Sequence, residues 1–373
     1  MRIFIEPNDV LMFRDGRPFS GGDDHFARGS CPPPPSTIYG ALRSHILSSV
    51  WSEFDSFGNH NEKIPEYVCR EIGTPYKTGT LILKQFLLAK VGKAGVEPIY
   101  PMPKDISWQK GKSKKNMFLP SVRDFNETDI KTDIPKGLLH LWYSMEDALE
   151  QSSGFLYGSD MEQYLLGKPP QNFINQKDIF DYEERTGIRK SKLTRSVKES
   201  GLYSVEYFRF KKNFGFIADI NGIQSLPEKG IIRLGGDHRS ARYFETSWND
   251  IPVEPIRKIV NENKRFKLIL LTPSIFKNGW LPCGINPQTM SGQIRGVDVK
   301  LVGACLGRPI GIGGFDLAQK MPKIMKRAVP SGSVYFFEIR KNNVDKIFEN
   351  AWLNSISDER VQEGFGISLI GGY

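Results

Sequence analysis

Cysteine is scarce in this chain. Its four residues, Cys31, Cys69, Cys283 and Cys305, are too scattered for a zinc motif and nothing around them signals secretion, so four reduced, structurally incidental thiols are expected. Histidine is nearly as sparse: His25, His45, His60, His140 and His238 show no metal-ligand spacing. No Gly-x-Ser-x-Gly elbow and no paired-carboxylate signature occurs, so neither a catalytic residue nor a metal or cofactor is assigned. Long apolar runs are also missing. None approaches bilayer length, and Met1-Arg2-Ile3-Phe4-Ile5-Glu6 lacks the apolar core of a signal peptide, which predicts a cytoplasmic protein with no membrane partner.

What is abundant is glycine and positive charge. Lys and Arg outnumber Asp and Glu by 51 to 42, giving a net charge of +9 and a pI near 9.2. That balance favours a polyanionic partner through counterion release. Glu363-Gly364-Phe365-Gly366-Ile367-Ser368-Leu369-Ile370-Gly371-Gly372-Tyr373 ends the chain with a glycine density that lets backbone N–H groups approach a phosphate. A dinucleotide fold needs a helix after such a loop, and only Tyr373 follows Gly372, so a nucleic-acid backbone is the better ligand. Gly111-Lys112-Ser113 is not a P-loop, because Ile106 stands where the pattern needs glycine.

At 373 residues the chain can hold two domains. Met1–Pro7 alternates as a strand, and Pro32–Pro35 is a stiff polyproline segment. Ser36 or Thr37 is expected to cap a helix whose buried stripe is Ile38, Leu42, Ile46 and Val50, leaving Arg43 more exposed. Strands are expected over Thr80–Ala89 and Glu97–Met102, then an inserted basic loop from Lys104 to Lys136, and a short helix near Met161–Leu166. Leu202–Ile220 reads as long strands with a hairpin around Lys211-Lys212-Asn213. Near the end come strands at Phe266–Thr272 and Ser333–Ile339, a helix at Val344–Leu353 and a strand at Gly366–Ile370. Strand, helix, strand at the C-terminus and strand, helix, two strands at the N-terminus fit halves of two ferredoxin-like βαββαβ units. The expected fold class is therefore α+β, with an N-terminal domain over 1–200 carrying the insertions and a basic hairpin, and a C-terminal domain over 201–373 ending in the glycine loop.

Three further segments carry chemistry. Gly307–Asp316 is a second glycine cluster leading into Lys320, Lys323, Lys326 and Arg327; it reads either as a tight loop before a solvated lysine face or as an RNA-backbone surface. Arg185–Lys198 holds six cationic residues without a core-forming period, either a solvated loop or a basic hairpin lying across single-stranded RNA. Leu234–Arg242 offers His238, Arg239 and Arg242 in a compact loop, read as a turn in which Asp237 pairs an arginine or as a nucleotide or partner contact. A metal-independent ribonuclease would need a general base and acid, for which His25 or His45 could serve, though His45 on the predicted helix fits packing or a solvated face better.

Taken in order, these segments resemble one family. Glu6-Pro7-Asn8-Asp9, Phe13–Phe19, Pro33–Arg43, Thr186-Gly187-Ile188, Gly201–Glu206, Leu234–Arg239, Leu271-Thr272-Pro273, Gly279-Trp280, Ile312–Asp316, Arg327–Tyr335 and the terminal glycine loop are similar to the third-subunit family of the Cmr module. That family belongs to the RAMP superfamily of type III-B CRISPR effector complexes. The segment Lys192-Leu193-Thr194-Arg195-Ser196-Val197 departs from a Thr-Gly-Thr-Ala-like stretch common in relatives, and the Lys104–Lys136 insert has no placed counterpart. The resemblance implies two ferredoxin-like domains with glycine-rich loops on an RNA-facing side. It implies a non-catalytic subunit that caps the 5′ handle of the guide RNA, pairs with the large polymerase-palm subunit and contacts the first backbone subunit. On that footing the expected RNA contacts are Arg14, Arg43, Arg239 and Arg308 with His238. To these are added Arg189, Lys190, Lys192 and Arg195 of the basic hairpin, Lys320, and the backbone at Gly311, Gly313, Gly314, Gly364 and Gly366.

Overall fold

The computed structural model describes residues 1–14, 26–27, 29–51, 64–111, 116–124, 134–144, 147–191, 194, 196–341 and 343–373, with backbone alone at 26–27, 189 and 197–201. It is a mixed α and β protein, mostly strand, with five α-helices among the described residues.

Strand β1 (Arg2–Pro7) is followed by the two-residue β2 (Phe26–Ala27) and helix α1 (Pro35–Val50). The expected Ser or Thr cap is corrected: Pro34 holds the cap position and no side chain caps the helix. Pro35 takes the first turn, where a missing N–H costs nothing, and the Thr37 N–H donates to the Pro34 carbonyl at 2.9 Å. Ile38, Leu42 and Ile46 are buried as their spacing predicts, while Val50, in the last turn, is half-buried.

Helix α2 (Glu66–Ile72), β3 (Ile82–Gly92) and β4 (Gly95–Pro101) come next. The expected loop after residue 104 instead holds short paired strands, β5 (Ser107–Gln109), β6 (Met117–Phe118) and β7 (Ser121–Arg123), joined by β8 (His140–Trp142) and β9 (Leu149–Gln151). Then come β10 (Phe155–Tyr157), α3 (Gly158–Leu165), the long β11 (Phe180–Lys190) and β12 (Val197–Phe210), β13 (Phe214–Asn221), β14 (Lys229–Arg233), β15 (Ser240–Glu245) and α4 (Glu254–Asn263). The second half contains β16 (Arg265–Leu270), β17 (Ser291–Ile294), β18 (Val297–Cys305), β19 (Ile310–Ile312), β20 (Phe315–Asp316), β21 (Met321–Pro322), β22 (Lys326–Ala328), β23 (Val334–Ile339), α5 (Val344–Ala351) and β24 (Ser368–Gly371).

Two sheets organise the molecule. The first has seven strands in the order β10-β4-β3-β13-β1-β15-β14, and the second has five in the order β17-β18-β23-β16-β24. The strand pairings in both are antiparallel; β2 alone lies parallel, beside β12. A turn does form at Lys211–Asn213, but the expected hairpin pairing there is corrected. β12 pairs with β11 in a separate sheet, whereas β13 inserts between β1 and β3. A division at residue 200 falls inside β12 and would part β13–β15 from β1; the two main sheets separate between Glu245 and Glu254.

The period-two alternation explains the layering. Ile3, Ile5, Leu88, Phe216 and Ala218 point into one cluster with Ile38, Leu42 and Ile46 of α1. Phe4, Leu87, Ala89 and Ile217, on the opposite face, join a larger cluster with Phe266, Leu268, Leu301, Phe337 and Ile370 of the second sheet. Both faces of the first sheet are thus buried, one under a helix and one against its neighbour.

One charged pair lies within this joint. Lys267, in the middle of the apolar β16, is 1% exposed and Asp105 is 0% exposed. Their Nζ and Oδ2 are 3.9 Å apart, the ammonium rests 3.5 Å from the Tyr164 ring centroid, and the Tyr164 hydroxyl donates to Asp105 Oδ1 at 2.7 Å. Burial pushes Lys267 down to about 8, against the pull of Asp105, and pushes the Asp105 carboxyl up.

Candidate nucleic-acid interface

The basic segment at 185–198 is the distal part of a two-stranded arm, β11 against β12. Alternation divides its root into two faces. Phe180 and Tyr182 pair across from Phe210 and Phe208, and these rings pack together at 5.4–5.6 Å. Phe180 and Phe208 are fully buried and tie the arm to the core beneath α1.

On the other face, Glu183 and Arg185 lie opposite Tyr207 and Val205, with Asp181 opposite Arg209. Arg209 reaches Glu183 Oε2 at 2.6 Å and Asp9 Oδ1 at 3.0 Å, and Arg185 reaches Glu183 Oε1 at 2.6 Å. Arg239 pairs with Asp237 at 3.0 Å and Asp9 at 3.4 Å. The Tyr207 hydroxyl donates to Asp237 at 3.0 Å, and the Arg185 and Arg239 guanidinium carbons each lie 5.0 Å from the Tyr207 ring centroid. Three arginines therefore face three carboxylates, Asp9, Glu183 and Asp237, around one tyrosine. The Arg239 guanidinium pairs with two carboxylates and lies against an aromatic face, so an RNA phosphate there would compete with them. The turn reading of this loop, with Asp237 pairing an arginine, is what the geometry holds. His238 is exposed beside it, and Asp237 and His238 both adopt left-handed backbone, with φ of 56° and 52°.

This network has a testable pH response. The Val10 amide and then Arg209 hold Asp9 below the usual carboxylate range, and Arg185 and then Arg209 do the same for Glu183. Groups with lowered folded values contribute fully above their ordinary pKa, 3.8 and 4.5 here, and lose that contribution as pH falls through the lowered values. Amide exchange across residues 180–210, corrected for intrinsic rates, should accelerate between pH 5 and pH 3. Arg209→Ala should erase most of the difference. An unchanged profile would show that the pairs do not hold the arm.

The remaining expected contacts fall into separate places. Arg14 is exposed and bridges to Gly29, whose N–H donates to Glu206 of β12 at 2.8 Å, so Gly29 lies beside the arm. Lys190 is exposed near the arm's end; Lys192 and Arg195 lie outside the described residues, as does the Arg189 side chain. Arg43 is half-buried on α1, donates to the Thr74 carbonyl at 3.2 Å and lies 5.9 Å from the Tyr39 ring centroid. Arg308, Gly311, Gly314 and Lys320 are exposed, and Gly313 half-exposed, on a second hairpin in which β19 pairs β22 and β20 pairs β21. Of the two histidines weighed for ribonuclease chemistry, His25 is outside the described residues. His45 Nε2 lies 3.1 Å from the Tyr243 hydroxyl, and burial lowers its pKa, so it is a packing residue of α1 on β15.

The terminal glycine loop faces inward. Gly364 and Gly366 are buried, with φ of 87° and 69°, and their N–H groups donate to the carbonyls of Val361 and Pro273 at 3.1 and 2.8 Å. Thr272 and Ser355 hydroxyls donate to the Gly364 and Phe365 carbonyls at 2.7 and 2.6 Å. A Cβ on Gly366 would sit 2.5 Å from the Ser357 nitrogen, and one on Gly364 3.1 Å from Leu83 of the first sheet. Gly364 allows a close approach to the first sheet and Gly366 a tight packing against Ser357 and Ser274, and the amides of both are bonded within the chain.

Sequence reasoning missed Asp9, Glu183, Arg185, Tyr207 and Arg209 as a unit. The signal was present in the i, i+2 alternation of charge with Phe180, Tyr182, Phe208 and Phe210. Among the described residues, no three His, Cys, Asp or Glu side chains gather as a metal site, and no helix is long and apolar enough to cross a membrane.

Comparison with known proteins places these features. A curated relative from Saccharolobus solfataricus, CRISPR system CMR subunit Cmr3, is 38% identical over 66 residues, 17% of this chain and 21% of the relative's own length. A chain of a cryo-EM structure of type III-B Cmr-beta bound to cognate target RNA and AMPPnP matches with a TM-score of 0.50 and 18% identity, covering 90% of this chain and 86% of that one. A second structure of that complex bound to cognate target RNA gives 0.49 and 19%, with the same coverage. The model of the CRISPR-associated protein family Cas_Cmr3 matches residues 3–372, and the chain belongs to that family.

Proposed function

We propose that this chain is a non-catalytic RNA-binding subunit of a type III-B Cmr effector complex. It caps the 5′ handle of the guide RNA, docks the large polymerase-palm subunit and contacts the first backbone subunit in the cytoplasm. The observation that carries this reading is the family match over residues 3–372. The arm supports it: its root is self-neutralised, and the sequence toward its end, with Arg189, Lys190, Lys192 and Arg195, carries the positive charge that suits a polyanion. Arg14, His238, Arg239 and Arg308 remain candidate contacts, and the buried Gly364 and Gly366 are read as structural.

Two ferredoxin-like halves belong to the same reading, divided between residues 245 and 254. Taking β1, β3, β13 and β15 as the four strands of one unit yields the spatial order 4-1-3-2, with α1 as its first helix. Taking β16, β18, β23 and β24 yields the same order, with α5 as the second helix. Each unit would then lack one helix.

Handle-bearing guide RNA titrated into the assembled complex should bind with an affinity that falls steeply on a log–log salt plot. Arg189→Ala/Lys190→Ala should flatten that slope by roughly 1.4 if both residues meet single-stranded phosphates. An unchanged slope would remove the arm from the interface, and cleavage of repeat RNA abolished by His45→Ala would replace the reading with an endoribonuclease.

A further inference from the structure

The hairpin spanning residues 310–328 is unlike the rest of the surface. Its base is anchored, since Ile312 and Ala328 are buried with Ile275 and Phe365. Beyond that base, large apolar side chains stand in solvent: Phe315 at 55%, Leu317 at 69%, Met321 at 51%, Ile324 at 84% and Met325 at 48% exposure. Isolated exposed hydrophobics are ordinary, but five within eleven successive residues of one hairpin are a local concentration of the kind that marks a contact site. The turn is also held in shape. Asp316 Oδ1 accepts the Ala318 and Gln319 N–H groups, both at 3.0 Å, which fixes how Leu317 is presented.

The chemistry of these side chains decides between an RNA and a protein occupant. A single-stranded nucleic acid is held by ring upon ring, and Phe315 is the single aromatic residue between 310 and 328. Leu, Ile and Met fill an irregular apolar pocket, Met adapting its thioether to the shape it meets. Lys323 and Arg327 are exposed beside them, and Lys326 at the base faces Glu359 at 3.1 Å. A surface of this kind matches an apolar cleft with an acidic rim, because the rim cations then meet opposite charge and the aliphatic centre leaves water.

We propose that the 310–328 hairpin is a protein-docking arm that inserts Leu317, Met321 and Ile324 into an apolar, acid-rimmed cleft on another subunit. The proposal rests on the reading of this chain as one subunit of an assembly, and it reassigns the Gly311–Gly314 segment from phosphate cradle to the stem of that arm. Gly311 fits the stem role, since a Cβ there would lie 3.2 Å from the Met325 sulfur.

The test titrates the labelled full-length chain into the remaining subunits of its own effector complex, purified without it, with handle RNA binding measured in parallel. Leu317→Asp/Ile324→Asp should weaken subunit association at least tenfold, while the variant's own melting temperature stays within a degree because both side chains are exposed. Lys323→Glu/Arg327→Glu should weaken association several-fold and blunt its salt dependence. If the wild-type chain associates and both variants do so equally well, the docking arm is overturned while the subunit reading stands. RNA affinity falling with association intact overturns it in favour of a nucleic-acid surface. A wild-type chain that fails to associate at all overturns the subunit reading and the arm together.

Discussion

Asp105→Asn should destabilise the protein by about 3–5 kcal/mol, the range for removing one partner of a buried ion pair. The Tyr164 hydroxyl keeps an acceptor in the amide oxygen, so the loss falls on Lys267, 1% exposed and left without the carboxylate that favours its charged form. Lys267→Met in the same background should recover most of the loss, since a well-packed apolar side chain replaces a charge whose desolvation was only partly offset. Urea unfolding of the three proteins at pH 7 measures this directly. The pH response has a definite sign. Lys267, folded at about 8 against an ordinary 10.5, releases its proton in the folded state first, so its contribution makes the protein more stable as pH rises across that window. Asp105, raised above 3.8, acts oppositely at acid pH: its contribution falls as pH rises from 3.8 through its raised value. The alkaline gain should vanish in the Lys267→Met/Asp105→Asn protein. An Asp105→Asn protein within 1 kcal/mol of wild type would show the pair to be uncoupled.

The second large effect is expected at Gly366. Alanine there meets two penalties, about 1–2 kcal/mol for left-handed backbone and about 1–3 kcal/mol for forcing a Cβ into a packed contact. With φ at 69° and the Ser357 nitrogen 2.5 Å from the new atom, a total near 3 kcal/mol is expected. Gly40→Ala provides a control of opposite sign: it lies within α1 with nothing within 4 Å of the added atom, so alanine should stabilise by about 0.5–1 kcal/mol. Thermal unfolding of both separates the tight packing at Gly366 from a general effect of glycine replacement. If Gly366→Ala melts with wild type, the terminal loop is looser than its hydrogen bonds imply.

These two positions also show what a one-dimensional reading reaches. Strands at β1, β3, β4, β16 and β23 and the helices α1 and α5 were legible because alternation and the 3.6-residue period are local. The basic hairpin was one of two readings and rested on its charge, since the segment shows no core-forming period. Pairing was not: nothing local says that Phe214–Asn221 leaves β12 and enters between β1 and β3, since that choice is made by two buried faces distant in sequence. Lys267 drew no notice within the strand expected over Phe266–Thr272, because its partner Asp105 lies far off along the chain. At Gly364 and Gly366 glycine permits both anion approach and tight packing, and density alone does not distinguish them. At Arg239 a charged residue on a loop looks the same in sequence whether it faces a phosphate or Asp237.

The arm's root has a mechanical consequence. β12 continues through Lys211–Asn213 directly into β13, the strand held between β1 and β3, and Phe180, Phe208, Phe210 and Phe216 wedge that corner. A load on the outer arm cannot be absorbed by a hinge at its base, because bending it would pull on the middle of the seven-stranded sheet. The root of the arm is thereby tied to the middle of the sheet. A strand of RNA reaching that root would lose its own freedom but would not have to immobilise the root as well.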